Sequence, residues 1–222
     1  RAVEEGRRIY DNIRKSVVFL LPTNGAQALV ILVAVLFGWA LPLSPVQILW
    51  INLVTALTLS LALAGEPAEP GIMERPPRSP KEQVLAPRAI ALVLWTSVLI
   101  GGATLGVYLY GRANADTYAI GQTTAVTMLA LGQLAFLFNC RFLNSSSLTP
   151  RALVGNRAVW IAAGLLLVLQ AIYVYAPFMN SWFGSAPLGP RQWIGVLLLS
   201  VGIFLIVEIG KWATRRIYGA SR

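Results

Sequence analysis

The chain has 222 residues, of which 56% are hydrophobic and 12% charged, about half the charged share of an ordinary soluble domain. With a mean hydropathy of +0.66, a single water-soluble core is excluded and a polytopic, all-α membrane protein is expected. One cysteine, Cys140, and no histidine exclude a disulfide framework, a paired-cysteine metal site and the commonest metal ligand. The chain opens on Arg1 without a signal peptide, and is expected to be a piece of a longer protein.

Apolar runs long enough to cross a bilayer lie near residues 17–37, 46–64, 89–110, 121–138, 158–178 and 192–210, which predicts six transmembrane helices. The formal charge of +9 is topological. Sixteen of the eighteen basic residues fall beside alternate span ends, and only Arg112 and Arg191 lie on the other side. The positive-inside rule therefore puts both termini in the cytoplasm. A nucleic-acid site would need these cations on one folded surface with stacking aromatics; scattered over four segments, they exclude one. The expected divisions are a cytoplasmic stalk (1–16), a first helix pair (17–64), a cytoplasmic connector (65–88), a supporting four-helix bundle (89–210) and a cytoplasmic tail (211–222).

Polar side chains inside hydrocarbon cost free energy unless they find partners or line a path. In the first span Pro22 removes a backbone donor, so a kink or loosening is expected there, with carbonyl oxygen freed near Thr23 and Asn24. Asn24 and Gln27, three apart, share a helical face. In the second span Asn52, Thr55 and Thr58 recur every three residues as a polar stripe. Two such stripes could form an oxygen-lined cation site or could hydrogen-bond the helices together, a use that stabilises by about 0.6–2 kcal/mol per pair.

The connector carries Pro67, Pro70, Pro76, Pro77, Pro80 and Pro87, which prevent a continuous helix. In the third span Gly102 and Gly106 form a small-residue pair suited to close helix packing. The fourth adds Thr123, Thr124, Thr127 and Gln133, where threonine hydroxyls are expected to bond back to their own helix. The glycosylation pattern at Asn144-Ser145-Ser146 is discounted because it faces the cytoplasm. Glu208, the sole carboxylate within a span, stands three residues from Lys211 and is expected to snorkel with it near the interface. Trp39, Trp182 and Trp193 fall at expected outer ends and Trp160 and Trp212 at inner ones, where amphipathic rings settle.

Four stretches, in order, carry a family resemblance. Residues 2–15 (Ala-Val-Glu-Glu-Gly-Arg-Arg-Ile-Tyr-Asp-Asn-Ile-Arg-Lys) resemble the stalk leading into the fifth membrane helix of P-type cation-transporting ATPases of the calcium and sodium/potassium pump branch. Residues 45–55 (Pro-Val-Gln-Ile-Leu-Trp-Ile-Asn-Leu-Val-Thr) resemble the start of the sixth helix, and 72–78 (Ile-Met-Glu-Arg-Pro-Pro-Arg) the loop from the sixth to the seventh. Residues 138–141 (Phe-Asn-Cys-Arg) resemble the end of helix eight in bacterial members. The resemblance covers the chain as helices five to ten and implies an ATP-driven pump of a bacterial plasma membrane.

By that resemblance Asn24, Asn52 and Thr55 match cation ligands, and Gln27 stands where calcium pumps have a glutamate. Ala56 and Phe136 replace two further carboxylates. The expected metal site is thus Asn24, Gln27, Asn52 and Thr55, with Thr58 and Gln133 as secondary candidates. Since calcium sites gain affinity from carboxylate count, a single monovalent or divalent cation is expected rather than a two-calcium site. The phosphorylated Asp-Lys-Thr-Gly-Thr segment is absent from the sequence. These 222 residues should therefore hold no catalytic group or cofactor. ATP and Mg²⁺ belong to the intact parent, with its actuator, nucleotide and phosphorylation domains and helices one to four. The alternative is a non-catalytic six-helix subunit or passive channel.

Overall fold

The structure, a computed structural model, describes residues 2–67, 72–74, 85, 87–114, 116–141, 147 and 156–219; the side chains of 61, 87, 88 and 214–219 are not described. Most of the connector, the Asn144-Ser145-Ser146 pattern and the last part of the tail lie outside the described residues. Among those described, every regular element is helical: α1 (Ala2–Leu36), α2 (Pro45–Thr55), a π-helical turn (Ala56–Ser60), α3 (Leu61–Ala64), α4 (Pro87–Ala113), α5 (Tyr118–Arg141), α6 (Arg157–Tyr175), α7 (Pro177–Phe183) and α8 (Pro190–Gly219). Six helices are long and apolar enough to span a membrane, the second being α2, the π turn and α3 taken together.

The helix ends follow from local chemistry. Ser44 caps α2 reciprocally: its hydroxyl accepts from the Gln47 N–H at 3.3 Å, and Gln47 Oε1 accepts from the Ser44 N–H at 3.0 Å. Pro45 then begins the helix, where its missing N–H costs nothing. Gly38, at φ 64°, closes α1 in the left-handed conformation that favours glycine. The fifth span ends at Tyr175, short of the expected residue 178, because Ala176 precedes Pro177 and is extended at φ −76°, ψ 125°.

Around α5 the bundle is organised. Its spanning stretch is 83% buried, against 28–47% for the other five, and it touches α1, α2, α4, α6 and α8. The tightest crossing is α1 on α4. A Cβ at Gly101 would lie 2.6 Å from Leu29 Cδ2 and 3.2 Å from the Ala26 carbonyl oxygen, and one at Gly25 would lie 2.5 Å from Ser97 Oγ. Gly102 and Gly106, the pair expected to pack, meet nothing within 4 Å. Their spacing is right, but they face away from the crossing, and Gly25 and Gly101 make the close approach.

Hydrogen bonds tie the two ends of the bundle. At one, Tyr108 Oη donates to the Ala40 carbonyl at 2.9 Å and Gln122 Nε2 to the Leu41 carbonyl at 3.0 Å. At the other, Arg7 donates to the Ile72 carbonyl at 2.6 Å, and Asn12 Nδ2 to the carbonyls of Ala64 at 3.0 Å and Glu66 at 2.9 Å. There too Arg141 Nε meets Glu66 Oε1 at 2.6 Å with both side chains buried. Glu208 and Lys211 do not snorkel. They pair at 2.6 Å, each about 5% exposed, because Asn139 Nδ2 (2.8 Å) and the Ser147 N–H (3.2 Å) complete the carboxylate and the Asn139 carbonyl and Ser147 Oγ (both 3.0 Å) receive the ammonium. A buried pair persists only when such extra bonds satisfy both charges.

Candidate functional site

Helix α1 runs unbroken from Ala2 through Pro22 to Leu36, so the stalk and the first span are one rod. The missing Pro22 N–H leaves the Val18 carbonyl, four residues back, without its usual donor. One residue on, Thr23 Oγ1 donates to the Leu20 carbonyl at 2.7 Å. The expected freeing of backbone oxygen is therefore placed at Val18, with Thr23 folded back on its own helix.

Across from this stretch, Gln27 Nε2 donates to Asn52 Oδ1 at 2.8 Å. The bond joins the two predicted polar stripes. Gln27 is buried and Asn52 half-buried. Gln27 Oε1 remains an acceptor, and so does the second lone pair of Asn52 Oδ1. Asn24 differs: it is exposed on α1, and its side chain makes no hydrogen bond among the described residues. The three-residue spacing thus sets Asn24 beside the junction and only Gln27 in it.

Thr55 and Thr58 are buried and bond backward, Thr55 Oγ1 to the Ile51 carbonyl and Thr58 Oγ1 to the Val54 carbonyl, each at 2.7 Å. Their protons are committed while their oxygen lone pairs stay open. Directly after Thr55 the chain enters the π turn Ala56–Ser60, a rare widening found mostly as single turns and frequently at functional sites. At its entry the Ala56 N–H is shared between the carbonyls of Asn52 and Leu53. No residue pattern in the sequence signals this turn.

On α5, Gln133 is completely buried and neither of its amide atoms has a hydrogen-bond partner. Its face of α5 looks toward α1, since Phe136, three residues on, stacks on Phe19 with centroids 6.3 Å apart. A buried amide left without partners is costly. Among the described residues no three of His, Cys, Asp and Glu gather closely enough to hold a metal. The described residues therefore offer a cation at this junction amides, hydroxyls and carbonyls.

The family model described as cation transporting ATPase, C-terminus, matches residues 40–213. The chain belongs to that family of P-type pumps. Among curated relatives, a calcium-transporting ATPase of Bacillus subtilis is 36% identical over 97% of this chain and 24% of its own length. A probable cation-transporting ATPase F of Mycobacterium tuberculosis is 35% identical over 93% of this chain and 23% of its own. The cation-transporting ATPase pma1 of a Synechocystis strain is 33% identical over 89% and 22%. The chain therefore spans about a quarter of the relatives it matches, and is similar to their membrane portion. Within this ATPase family segment, the Asn12 clamp and the π turn are the features that residue patterns did not reveal. An asparagine in a charged stalk looks solvated until its carbonyl partners, more than fifty residues away, are known.

Proposed function

We propose that the chain is the membrane transport half of an ATP-driven cation pump, with Asn24, Gln27, Asn52 and Thr55 lining the ion path. The observation that carries this is the 2.8 Å bond from Gln27 to Asn52, next to a π turn, in a family of cation pumps. Two amides meeting inside a bilayer-length bundle, with acceptor oxygens to spare, suit a partly dehydrated cation. Asn24 extends this set on an exposed face of α1, where membrane helices outside this chain would cover it. Gln133 adds an unpartnered amide on α5.

The ion is a single monovalent or divalent cation. Calcium coordination takes six to eight oxygens and is strengthened by carboxylates, and the side chains gathered at the junction are neutral. A divalent ion would need a carboxylate from outside these residues. Both termini face the cytoplasm and the pump sits in a plasma membrane. ATP, Mg²⁺ and the phosphorylated aspartate belong to the rest of the polypeptide. Asn12 and Arg7 would pass its motions to the loop after α3.

The test is ATPase activity of the full-length pump carrying this segment, measured across Na⁺, K⁺, Ca²⁺, Mg²⁺ and Mn²⁺. An Asn24→Ala, Asn52→Ala double variant should shift the activating concentration of one of these ions. Ion activation identical to the parent would sink the assignment.

A further inference from the structure

Where α2, α5, α6 and α7 meet, the polar groups do not balance. Trp50 of α2 stacks on Tyr173 of α6 with centroids 5.9 Å apart and planes at 15°. Phe183 of α7 closes on both, at 5.3 Å and 5.9 Å. The rings pack well. Their polar ends do not: Trp50 Nε1, Tyr173 Oη and Gln170 Oε1 are each buried without a hydrogen-bond partner. Gln170 and Tyr173 are fully buried and, three apart on α6, neighbours on one face.

Several neighbouring groups are satisfied. Gln170 Nε2 donates to Thr127 Oγ1 at 2.9 Å, and that hydroxyl donates to the Thr123 carbonyl at 2.7 Å. Ser185 Oγ donates to the Tyr173 carbonyl at 2.8 Å, and Gln47 Nε2 to the Phe183 carbonyl at 3.0 Å. Unpartnered buried atoms occur elsewhere too, Gln133 on α5 and Ser60 in the π turn among them, but at this junction three of different chemistry come from two facing helices. Buried polar atoms are nearly always paired, with protein or with ordered water.

The chemistry of the three selects the ligand. An indole N–H can only donate, an amide Oε1 can only accept, and a phenol hydroxyl does both. The indole proton repels a cation, and the amide oxygen repels an anion. A neutral group that both donates and accepts answers all three, and water, which takes two to four polar partners of this mixed kind, is the smallest such group.

We infer that this junction holds bound water, seated against Gln170 Oε1 and Tyr173 Oη with Trp50 Nε1 at its edge. The site is independent of which cation the pump moves. Trp50 lies two residues from Asn52 on α2, so the helix that carries the ion-path amide rests on α6 partly through water. A water-mediated contact can exchange partners when α2 shifts, whereas a dry stack of rings must come apart.

Hydroxyl-radical footprinting of the full-length protein in nanodiscs, with radicals generated by an X-ray pulse, tests this directly. Bound water becomes a local radical source, so Tyr173 should be oxidised although it is buried from solvent. Tyr108 is the internal control: it is equally buried, but its hydroxyl donates to the Ala40 carbonyl at 2.9 Å. Labelling at Tyr173 well above Tyr108 is expected, together with its loss in Gln170→Leu while exposed Trp182 keeps its label. Protection of Tyr173 equal to that of Tyr108 in the parent protein would overturn the inference, whether or not the variant folds. So would Tyr173 labelling that survives Gln170→Leu unchanged.

Discussion

Gln27 on α1 and Asn52 on α2 are joined amide to amide at 2.8 Å, so the two helices proposed to line the ion path share a neutral hydrogen bond where a carboxylate could stand. Gln27→Glu keeps the shape and adds a charge. Because carboxylates raise affinity for hard divalent cations, this variant should lower the Ca²⁺ concentration that half-activates the full-length ATPase and leave Na⁺ and K⁺ activation less changed. Gln27→Leu should lose the interhelical bond, about 0.6–2 kcal/mol, seen as a lower melting temperature in detergent. An unchanged Ca²⁺ response in Gln27→Glu would remove Gln27 from the path.

Close packing of α1 on α4 makes opposite demands on neighbouring glycines. Gly101→Ala would press a methyl onto Leu29 and the Ala26 carbonyl oxygen at 2.6 and 3.2 Å, and overpacking of this kind costs about 1–3 kcal/mol. Gly102→Ala and Gly106→Ala meet open space, and should be neutral or gain up to about 1 kcal/mol from the lower flexibility of the unfolded chain. Thermal unfolding of the three variants in one detergent checks the order.

The buried Arg141–Glu66 pair ties α5 to the loop after α3. Removing one partner of such a pair typically costs about 3–5 kcal/mol, whereas replacing both with apolar groups can be nearly neutral. Glu66→Ala should therefore unfold well below the parent, and Glu66→Leu combined with Arg141→Met should recover much of the loss. A double variant as unstable as the single would show that Arg141 is needed for something beyond this pair.

Asn12 holds the carbonyls of Ala64 and Glu66 and touches no proposed ion ligand. Asn12→Ala is expected to slow turnover of the full-length ATPase with little change in the activating ion concentration. Couplings carried by such contacts run to about 0.5–2 kcal/mol, a two- to thirtyfold effect. A shift in ion affinity with turnover intact would contradict a coupling role.

Much of the fold was legible because a bilayer imposes a length, and runs of about 20 apolar residues announce themselves. What stayed hidden depends on which way a helix face turns. Gly102 and Gly106 have the right spacing on the wrong face. Asn24 and Gln27 share a side of α1, yet only Gln27 reaches Asn52. Glu208 looked fit to snorkel since its buried partners, Asn139 and Ser147, lie more than sixty residues away. The amide pair was legible in kind, as polar stripes in apolar helices; the π turn after Thr55 was not, for no residue type requires one.

The unbroken course of α1 sets a mechanical ratio. At 1.5 Å per residue, Ala2 lies roughly 35 Å from Gly25, where α1 is pressed against Ser97 of α4, and Gln27 lies only about 3 Å beyond it. A rod pivoting at that crossing would gear down motion roughly tenfold, so a swing of several ångströms at the stalk end would reach the Gln27–Asn52 bond as a few tenths of an ångström. Displacements of that size suffice to lengthen a hydrogen bond and are too small to unpack a helix.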